Sequence, residues 1–201
     1  MTRRRLLLGL AALPAARAAR AAPPAIAFRV MRQGAPVGTH AVRFREEEGL
    51  LRARTEIRIQ VRLAGFTVYR FTQDTEEAWR DDRLVALASR SDRNGRAGAC
   101  EARAEAGGLR LRGAAGEVLL PPLASPLTWW RAASLAPGLP VFDVREGRPV
   151  SPRIERIAEA GRQRIRVLGG EGAEVLYDAA GTWIGFATTG EDGSAVSYER
   201  A

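Results

Sequence analysis

Residue types that build catalytic and metal sites are scarce in this sequence. It contains one cysteine, Cys100, and one histidine, His40. A lone cysteine excludes an intramolecular disulfide, and these two residues are too few for a zinc site of cysteine and histidine ligands. A Ser-His-Asp triad would have to use His40, and no G-x-S-x-G motif presents a serine nucleophile. The sequence therefore predicts no cofactor, no metal and no enzymatic activity, with His40 structural or exposed and Cys100 unreactive.

Lysine is absent, so all 31 basic residues are arginine. Five of them lie in the first 21 residues, which contain no acidic residue, so loss of that segment would lower the net charge from +8 to +3. A charge this small does not indicate a nucleic-acid-binding surface, and we expect no nucleic-acid partner. The arginine content is typical of proteins from GC-rich genomes, and a surface for anionic ligands or lipids is the alternative interpretation.

The N-terminal segment has the layout of a secretory signal peptide. A basic start is followed by an apolar run over residues 6–16, which is too short to span a membrane. Small-residue Ala-x-Ala sites predict cleavage after Ala18 or Ala21, and no cysteine follows the run, which excludes a lipoprotein signal. We therefore predict a signal peptide over residues 1–21 and a single antiparallel β domain over residues 22–201.

The export route is predicted from the arginines of this segment. Residues 2–7 read TRRRLL, which fits the twin-arginine pattern with Arg3 and Arg4 as the pair. Arg17 and Arg20 stand just before the mature chain, where positive charge opposes general secretory insertion. We expect twin-arginine export to the periplasm, with general secretion as the alternative, and membrane contact only transiently through the signal peptide.

The strongest periodic signal lies at Leu50–Leu63, where LLRARTEIRIQVRL alternates apolar and charged residues. This period of two predicts a long strand with one dry and one wet face. Turn residues such as Asn94-Gly95 punctuate the rest of the chain every 8–14 residues or so, which is the rhythm of an antiparallel meander. Because long strands twist and unpaired edges are unfavourable, we predict a mainly β fold with one curled sheet forming an open or partial barrel. A flat two-sheet sandwich is the alternative.

Two adjacent tryptophans, Trp129 and Trp130, lie in the stretch SPLTWWRAASLAPG. Ser125 is a suitable helix cap, Pro126 suits the first helical position, and Pro137-Gly138 would end the helix. The pattern predicts one short helix from Ser125 to Ala136, on which both indole rings flank one apolar face. Such a helix would plug one end of the barrel with both rings in the core, or act as a lid over a ligand-accepting mouth.

Several stretches resemble an uncharacterised family of exported proteobacterial proteins, which is classed as a domain of unknown function. The motifs that carry the resemblance are Tyr69-x-Phe71 with Trp79, the turn Asn94-Gly95, and Tyr177-Asp178-x-x-Gly181-x-Trp183. The family is distantly similar to periplasmic curled-sheet proteins, including the half-barrel lipoprotein carriers. The resemblance implies an open antiparallel barrel with an apolar interior and supplies no activity.

The function predicted from the sequence is non-catalytic binding or transport of an apolar or lipid-like ligand. The residues predicted to line the ligand site are Tyr69, Phe71, Trp129 and Trp130. An envelope protein-interaction or assembly factor is the alternative, and a carboxylate-based enzyme is a third interpretation, although no pair of acidic residues stands out. A hollow interior would favour the carrier, and a filled interior would favour the interaction factor.

Overall fold

A computed structural model describes residues 22–169 and 172–201. The signal peptide prediction, including Arg3 and Arg4, lies outside the described residues. The first eight strands are β1 Ile26–Arg32, β2 Ala35–Glu47, β3 Leu50–Leu63, β4 Phe66–Arg80, β5 Arg83–Arg93, β6 Arg96–Glu105, β7 Gly108–Gly113 and β8 Gly116–Leu120. The others are β9 Ser125–Pro126, β10 Val141–Asp143, β11 Arg148–Val150, β12 Arg153–Glu159, β13 Arg162–Leu168, β14 Ala173–Asp178, β15 Trp183–Thr189 and β16 Ala195–Arg200.

One antiparallel sheet holds 13 of the strands, in the order β12-β13-β14-β15-β16-β1-β2-β3-β4-β5-β6-β7-β8. The chain therefore runs as two meanders joined where β16 pairs with β1. The two edge strands, β8 and β12, are not paired with each other, so the sheet is not closed into a barrel. The predicted mainly β fold with one open curled sheet is confirmed, and the two-sheet sandwich is not adopted.

The alternation in β3 sets the two faces of the sheet. Ala53, Ile57 and Val61 are buried on the inner face, whereas Arg54 and Arg58 are exposed on the outer face. Residues of β2–β4 and of β13–β16 line one common interior space, so the sheet curls over on itself. The local period of two was therefore sufficient to identify which side chains point inward.

A small second sheet of β9, β10 and β11 packs against the inner face of the large one. Gly98 in β6 and Gly113 in β7 make this approach possible, because a Cβ at either position would overlap backbone oxygens of residues 145–147. The β10–β11 turn therefore rests directly on the sheet backbone. Asp143 fixes this turn by accepting hydrogen bonds from the backbone N–H groups of Arg145 and Glu146, at 2.7 and 2.9 Å.

The helix predicted from Ser125 to Ala136 was wrong except for one turn. Ser125–Pro126 is strand β9, and only Ala132–Leu135 is helical, as a 3₁₀ turn. The N–H of Ser125 donates to Pro140 O and that of Leu127 to Phe142 O, so tertiary hydrogen bonds replace the helical ones. Instead of capping a helix, the Ser125 hydroxyl donates to the buried Ser134 Oγ at 2.8 Å.

Local turn chemistry is confirmed at the β5–β6 hairpin. Asn94 and Gly95 both have positive φ angles, 53° and 85°, as the two-residue hairpin turn requires. Across the described ranges, no helix is long and apolar enough to cross a membrane.

Candidate functional site

The interior of the curled sheet is hollow. It contains a cavity of about 930 Å³, with walls contributed by β1–β5, β13–β16 and the 127–129 and 143–152 segments. The wall residues of β3 and β4 are mainly apolar and include Ile57, Ile59, Val61 and Phe71. A volume of this size is in the range of small-molecule and lipid sites.

The cavity opens at one end of the sheet. The turns β1–β2, β3–β4, β5–β6 and β15–β16, together with the end of β13 and the start of β14, lie at this end, and residues next to each of them line the cavity. Arg93 and Glu191 form an ion pair of 2.8 Å there, and Arg32 pairs with Asp192. Ser194 and Arg32 lower the pKa of the Asp192 carboxyl to about 2. We call this end the mouth.

The opposite end is closed by the segment that contains the two tryptophans. Trp130 is buried and meets Phe44 and Trp79 edge-on, with ring centroids 5.0 and 6.0 Å apart. Arg131 extends over the ring of Trp79, 4.5 Å from its centroid, and pairs with Asp82. This segment therefore plugs the end of the sheet away from the mouth.

The structure separates the four residues predicted to line a ligand site. Tyr69, Phe71 and Trp129 line the cavity, whereas Trp130 is not among its lining residues. Trp129 is half-buried, and its ring lies 5.2 Å from that of Phe186. The two tryptophans lie in a bend between β9 and the 3₁₀ turn, and their indoles separate, with Trp130 in the core and Trp129 at the cavity.

A polar band crosses the apolar wall of the cavity. We define it as Thr55 of β3 with Gln73 and Thr75 of β4, all buried and all facing inward. Gln73 Nε2 donates to Thr75 Oγ1 at 3.0 Å, and Thr75 Oγ1 lies 2.9 Å from Ser89 Oγ. Thr55 Oγ1 is fully buried without a hydrogen-bond partner among the described residues. An unpaired buried hydroxyl costs about 1–3 kcal/mol, which suits a position that a ligand group completes.

Glu77 lies next to the band and also borders the cavity. Its side chain is only 3% exposed, and its Oε2 accepts hydrogen bonds from the indole N–H groups of Trp79 at 2.8 Å and Trp130 at 3.2 Å. Burial raises the pKa of this carboxyl to about 7, against the hydrogen bonds from Trp79, Trp130 and Thr128, which lower it. A pKa near 7 means that this carboxyl titrates near neutral pH. Its hydrogen bond from Trp130 also links the plug segment to β4.

His40 is part of an aromatic cluster at the edge of the cavity. Its ring lies 4.9 Å from Trp183 and 5.4 Å from Tyr198, and its Nδ1 is 3.4 Å from the Tyr198 hydroxyl. Burial lowers the pKa of His40 to about 3, so the imidazole is neutral at neutral pH. These contacts agree with a structural role.

Cys100 lies on the inner face of β6 and is 1% exposed. Burial, with smaller contributions from Asp143 and Glu101, raises the pKa of its thiol to about 12. Thiolate is therefore scarce at neutral pH, which agrees with the interpretation of Cys100 as unreactive. Within residues 22–169 and 172–201, no three His, Cys, Asp or Glu side chains are grouped closely enough to hold a metal ion.

Sequence reasoning missed the polar band and Glu77, although a signal was present. Gln73, Thr75 and Glu77 have the same phase along β4 as Phe71 and Trp79, so the period of two placed them on the apolar face. Polar residues at three successive inward positions are unusual in a closely packed core, and this departure from the pattern is the signal.

The fold and cavity define a class of protein: an open, curled antiparallel sheet around a cavity with a largely apolar wall. The chain belongs to the family described as Domain of unknown function (DUF6134), whose model matches residues 28–201. The resemblance inferred from the motifs is thereby confirmed as a family of unknown function, and its exported, proteobacterial character stays a prediction.

Among solved structures, the chain is similar to a DUF1089 family protein from Pseudomonas aeruginosa. The identity is 16%, the alignment covers 87% of this chain and 95% of that one, and the TM-score is 0.44. No curated protein matches the sequence.

Proposed function

We propose that this protein binds an apolar or lipid-like ligand in its interior without performing chemistry on it. The observation that carries the proposal is the hollow interior, about 930 Å³ in volume, which opens at the mouth. The alternative, an envelope interaction or assembly factor, would be favoured by a packed interior, and this interior contains a cavity. The apolar wall suits a hydrocarbon chain, and the polar band gives a hydrogen-bonding group of the ligand a place to bind.

The described residues also favour binding over catalysis. Asp143, the other buried carboxylate at the cavity, is held by the two N–H groups of its turn and by the Arg145 guanidinium, at 3.1 Å to its Nη2. Burial opposes ionisation of Asp143, but Arg145 and the backbone donors outweigh it and lower its pKa. Its oxygens are committed to the turn, and the other cavity-lining carboxylates among the described residues, Glu191 and Asp192, are paired with arginines. Among residues 22–169 and 172–201, Glu77 therefore has no unpaired cavity carboxylate with which to form an acid/base pair.

Cavity binding is tested by narrowing the cavity from one wall. Ile59→Trp places an indole into the cavity, whereas Gln60→Trp, its matched control, places the same ring on the outer face of β3. In titrations with a fluorescent polyene fatty acid, we expect Ile59→Trp to weaken uptake at least about tenfold and Gln60→Trp to leave it unchanged.

Native mass spectrometry of the purified wild-type chain gives the companion measurement. We expect a bound component of lipid mass that Ile59→Trp reduces. Repeated preparations with neither a bound lipid mass nor fatty-acid uptake would overturn the proposal.

The proposed place of action is the periplasm, on the pattern of residues 1–21. Replacing the pair, Arg3→Lys with Arg4→Lys, keeps the charge and should block export by the twin-arginine route. Arg17→Lys with Arg20→Lys is the matched control and should leave export intact. Fractionation of cells expressing the full chain measures this, and unchanged export of the Arg3/Arg4 variant would favour general secretion instead.

A further inference from the structure

The β3–β4 hairpin extends beyond its neighbours in the sheet. Pairing of β3 with β2 begins only at Ile59, and pairing of β4 with β5 only at Phe71, so residues 60–70 form a two-stranded projection. Its base is held by hydrogen bonds between the backbone of Arg70 and Asn94 of the β5–β6 turn. About four residue pairs project, which corresponds to roughly 13 Å at 3.3 Å per residue. We call residues 60–70 the hairpin tip.

The hairpin tip presents apolar side chains to solvent. Leu63 is 68% exposed, Phe66 76% and Val68 54%. Among the large apolar side chains, the only other one exposed by more than half in the described residues is Leu123, which lies at the other end of the sheet. Leu63 and Phe66 face each other across the turn at Ala64-Gly65. Clustered exposed apolar side chains of this size mark an interaction site.

The charged residues around the hairpin tip are mainly positive. Arg62 and Arg70 lie within it, and Arg96 lies on the adjacent β5–β6 hairpin; none of the three is in an ion pair among residues 22–169 and 172–201. Arg62 instead donates to Gly65 O at 3.1 Å. Asp92 is the acidic residue next to the β5–β6 turn, and its carboxylate accepts the N–H of Gly95. The tip is therefore apolar at its end and basic at its base.

We propose that the hairpin tip binds the surface of an anionic lipid bilayer and holds the cavity mouth against it. Leu63, Phe66 and Val68 would enter the headgroup region, and the arginines would contact the lipid phosphates. Three side chains on a narrow projection offer far less than the about 1,000 Å² of a stable protein interface, whereas a bilayer accepts them without a complementary surface. Val61, Val68 and Tyr69 continue from the tip into the cavity wall, so the same hairpin connects the bilayer to the interior.

This contact differs from the transient one expected through the signal peptide, and it does not depend on a loaded cavity. Vesicle binding and fatty-acid uptake are separate measurements, so either proposal can fail alone. The test uses the full chain and its variants, and because all of them carry the same N-terminal segment, differences in binding report on the tip.

The experiment is sedimentation with vesicles of phosphatidylethanolamine and phosphatidylglycerol, compared with vesicles of phosphatidylcholine. We expect the wild type to prefer the anionic vesicles and Leu63→Ser with Phe66→Ser to lose at least about tenfold in affinity. Arg62→Gln with Arg70→Gln should lose about 25-fold on anionic vesicles and little on neutral ones, since each arginine near an anionic surface contributes about fivefold.

The matched control is Leu119→Ser with Leu123→Ser, which removes two exposed leucines at the far end of the sheet, 49% and 58% exposed. Unchanged vesicle binding of this control supports the proposal. Equal binding by the tip variant and the wild type would overturn it, as would a wild type that does not sediment with vesicles. A concentration-dependent dimer that only the tip variant abolishes, seen by light scattering, would replace the bilayer with a second copy of the chain.

Discussion

Trp130→Ala should lower the free energy of unfolding by about 3–5 kcal/mol, the range for removing a buried large aromatic side chain. The ring of Trp130 packs edge-on against Phe44 and Trp79 in the plug at the closed end. Its removal also takes one N–H donor, 3.2 Å away, from the buried Glu77. Both effects act on the folded state, so urea unfolding should show a lower midpoint with an unchanged slope.

Trp129→Ala is the comparison that separates the plug from the cavity wall. Trp129 is half-buried, and its tertiary hydrogen bond uses its backbone carbonyl, which accepts from the Tyr177 hydroxyl at 2.7 Å and is kept in the alanine variant. We therefore expect a smaller loss of stability and weaker fatty-acid uptake. Trp130→Phe keeps an aromatic ring without the N–H and should fall between wild type and Trp130→Ala. Equal losses from Trp129→Ala and Trp130→Ala would contradict this division.

Opposite pH dependences of stability are expected from Glu77 and His40. The pKa of the Glu77 carboxyl is raised from 4.5 to about 7 in the folded state, so the folded protein binds that proton first. Stability from this group rises as the pH falls through 7 towards 4.5 and is lost as the pH rises through 7. The pKa of His40 is lowered from 6.5 to about 3, so the unfolded chain binds that proton first and stability falls as the pH drops below 6.5.

Between about pH 8 and about pH 5 each group changes the free energy of unfolding by about 2 kcal/mol, with opposite signs. The wild type should therefore be nearly insensitive to pH in this window. Glu77→Gln should lose about 2 kcal/mol on going to the lower pH, and His40→Phe should gain about as much.

The measured quantity is the slope of stability against pH, from urea unfolding at several pH values. A constant offset caused by either substitution does not affect it. The double variant should again be flat, and the carboxyl of Asp192, with a pKa of about 2, titrates below this window. Parallel slopes in the wild type and both single variants would show that these two groups do not carry the pH dependence.

The strands and tight turns could be read from the sequence because their signals are local. The alternation of β3 fixes which face is buried, and Asn94-Gly95 supplies the two positive φ angles of its hairpin. Both signals are properties of adjacent residues, so the distant part of the chain does not change them. Tyr69 and Phe71 lie at the cavity for the same reason, since they share the inward phase of β4, and their role in lining a ligand site stays a prediction.

The segment around Trp129 and Trp130 shows where local signals fail. Ser125, Pro126 and the closing Pro137-Gly138 satisfy the rules for a helix, but the backbone of this segment pairs with β10 and the Trp130 ring inserts beside Trp79. Contacts between residues far apart in sequence stabilise this conformation more than helical hydrogen bonds would, and only the folded chain brings those contacts together.

The hollow interior is likewise a property of the tertiary structure. Alternation places Thr55, Gln73, Thr75 and Glu77 on the inner face, yet it does not reveal whether a second layer of side chains fills the space above them. That depends on how strongly the sheet curls and where β9–β11 rest on it, which Gly98 and Gly113 determine through the backbone of residues 145–147. The sequence period determines which face of the sheet each side chain occupies. The cavity exists because long-range packing sets the distance between the opposing inner faces of the curled sheet.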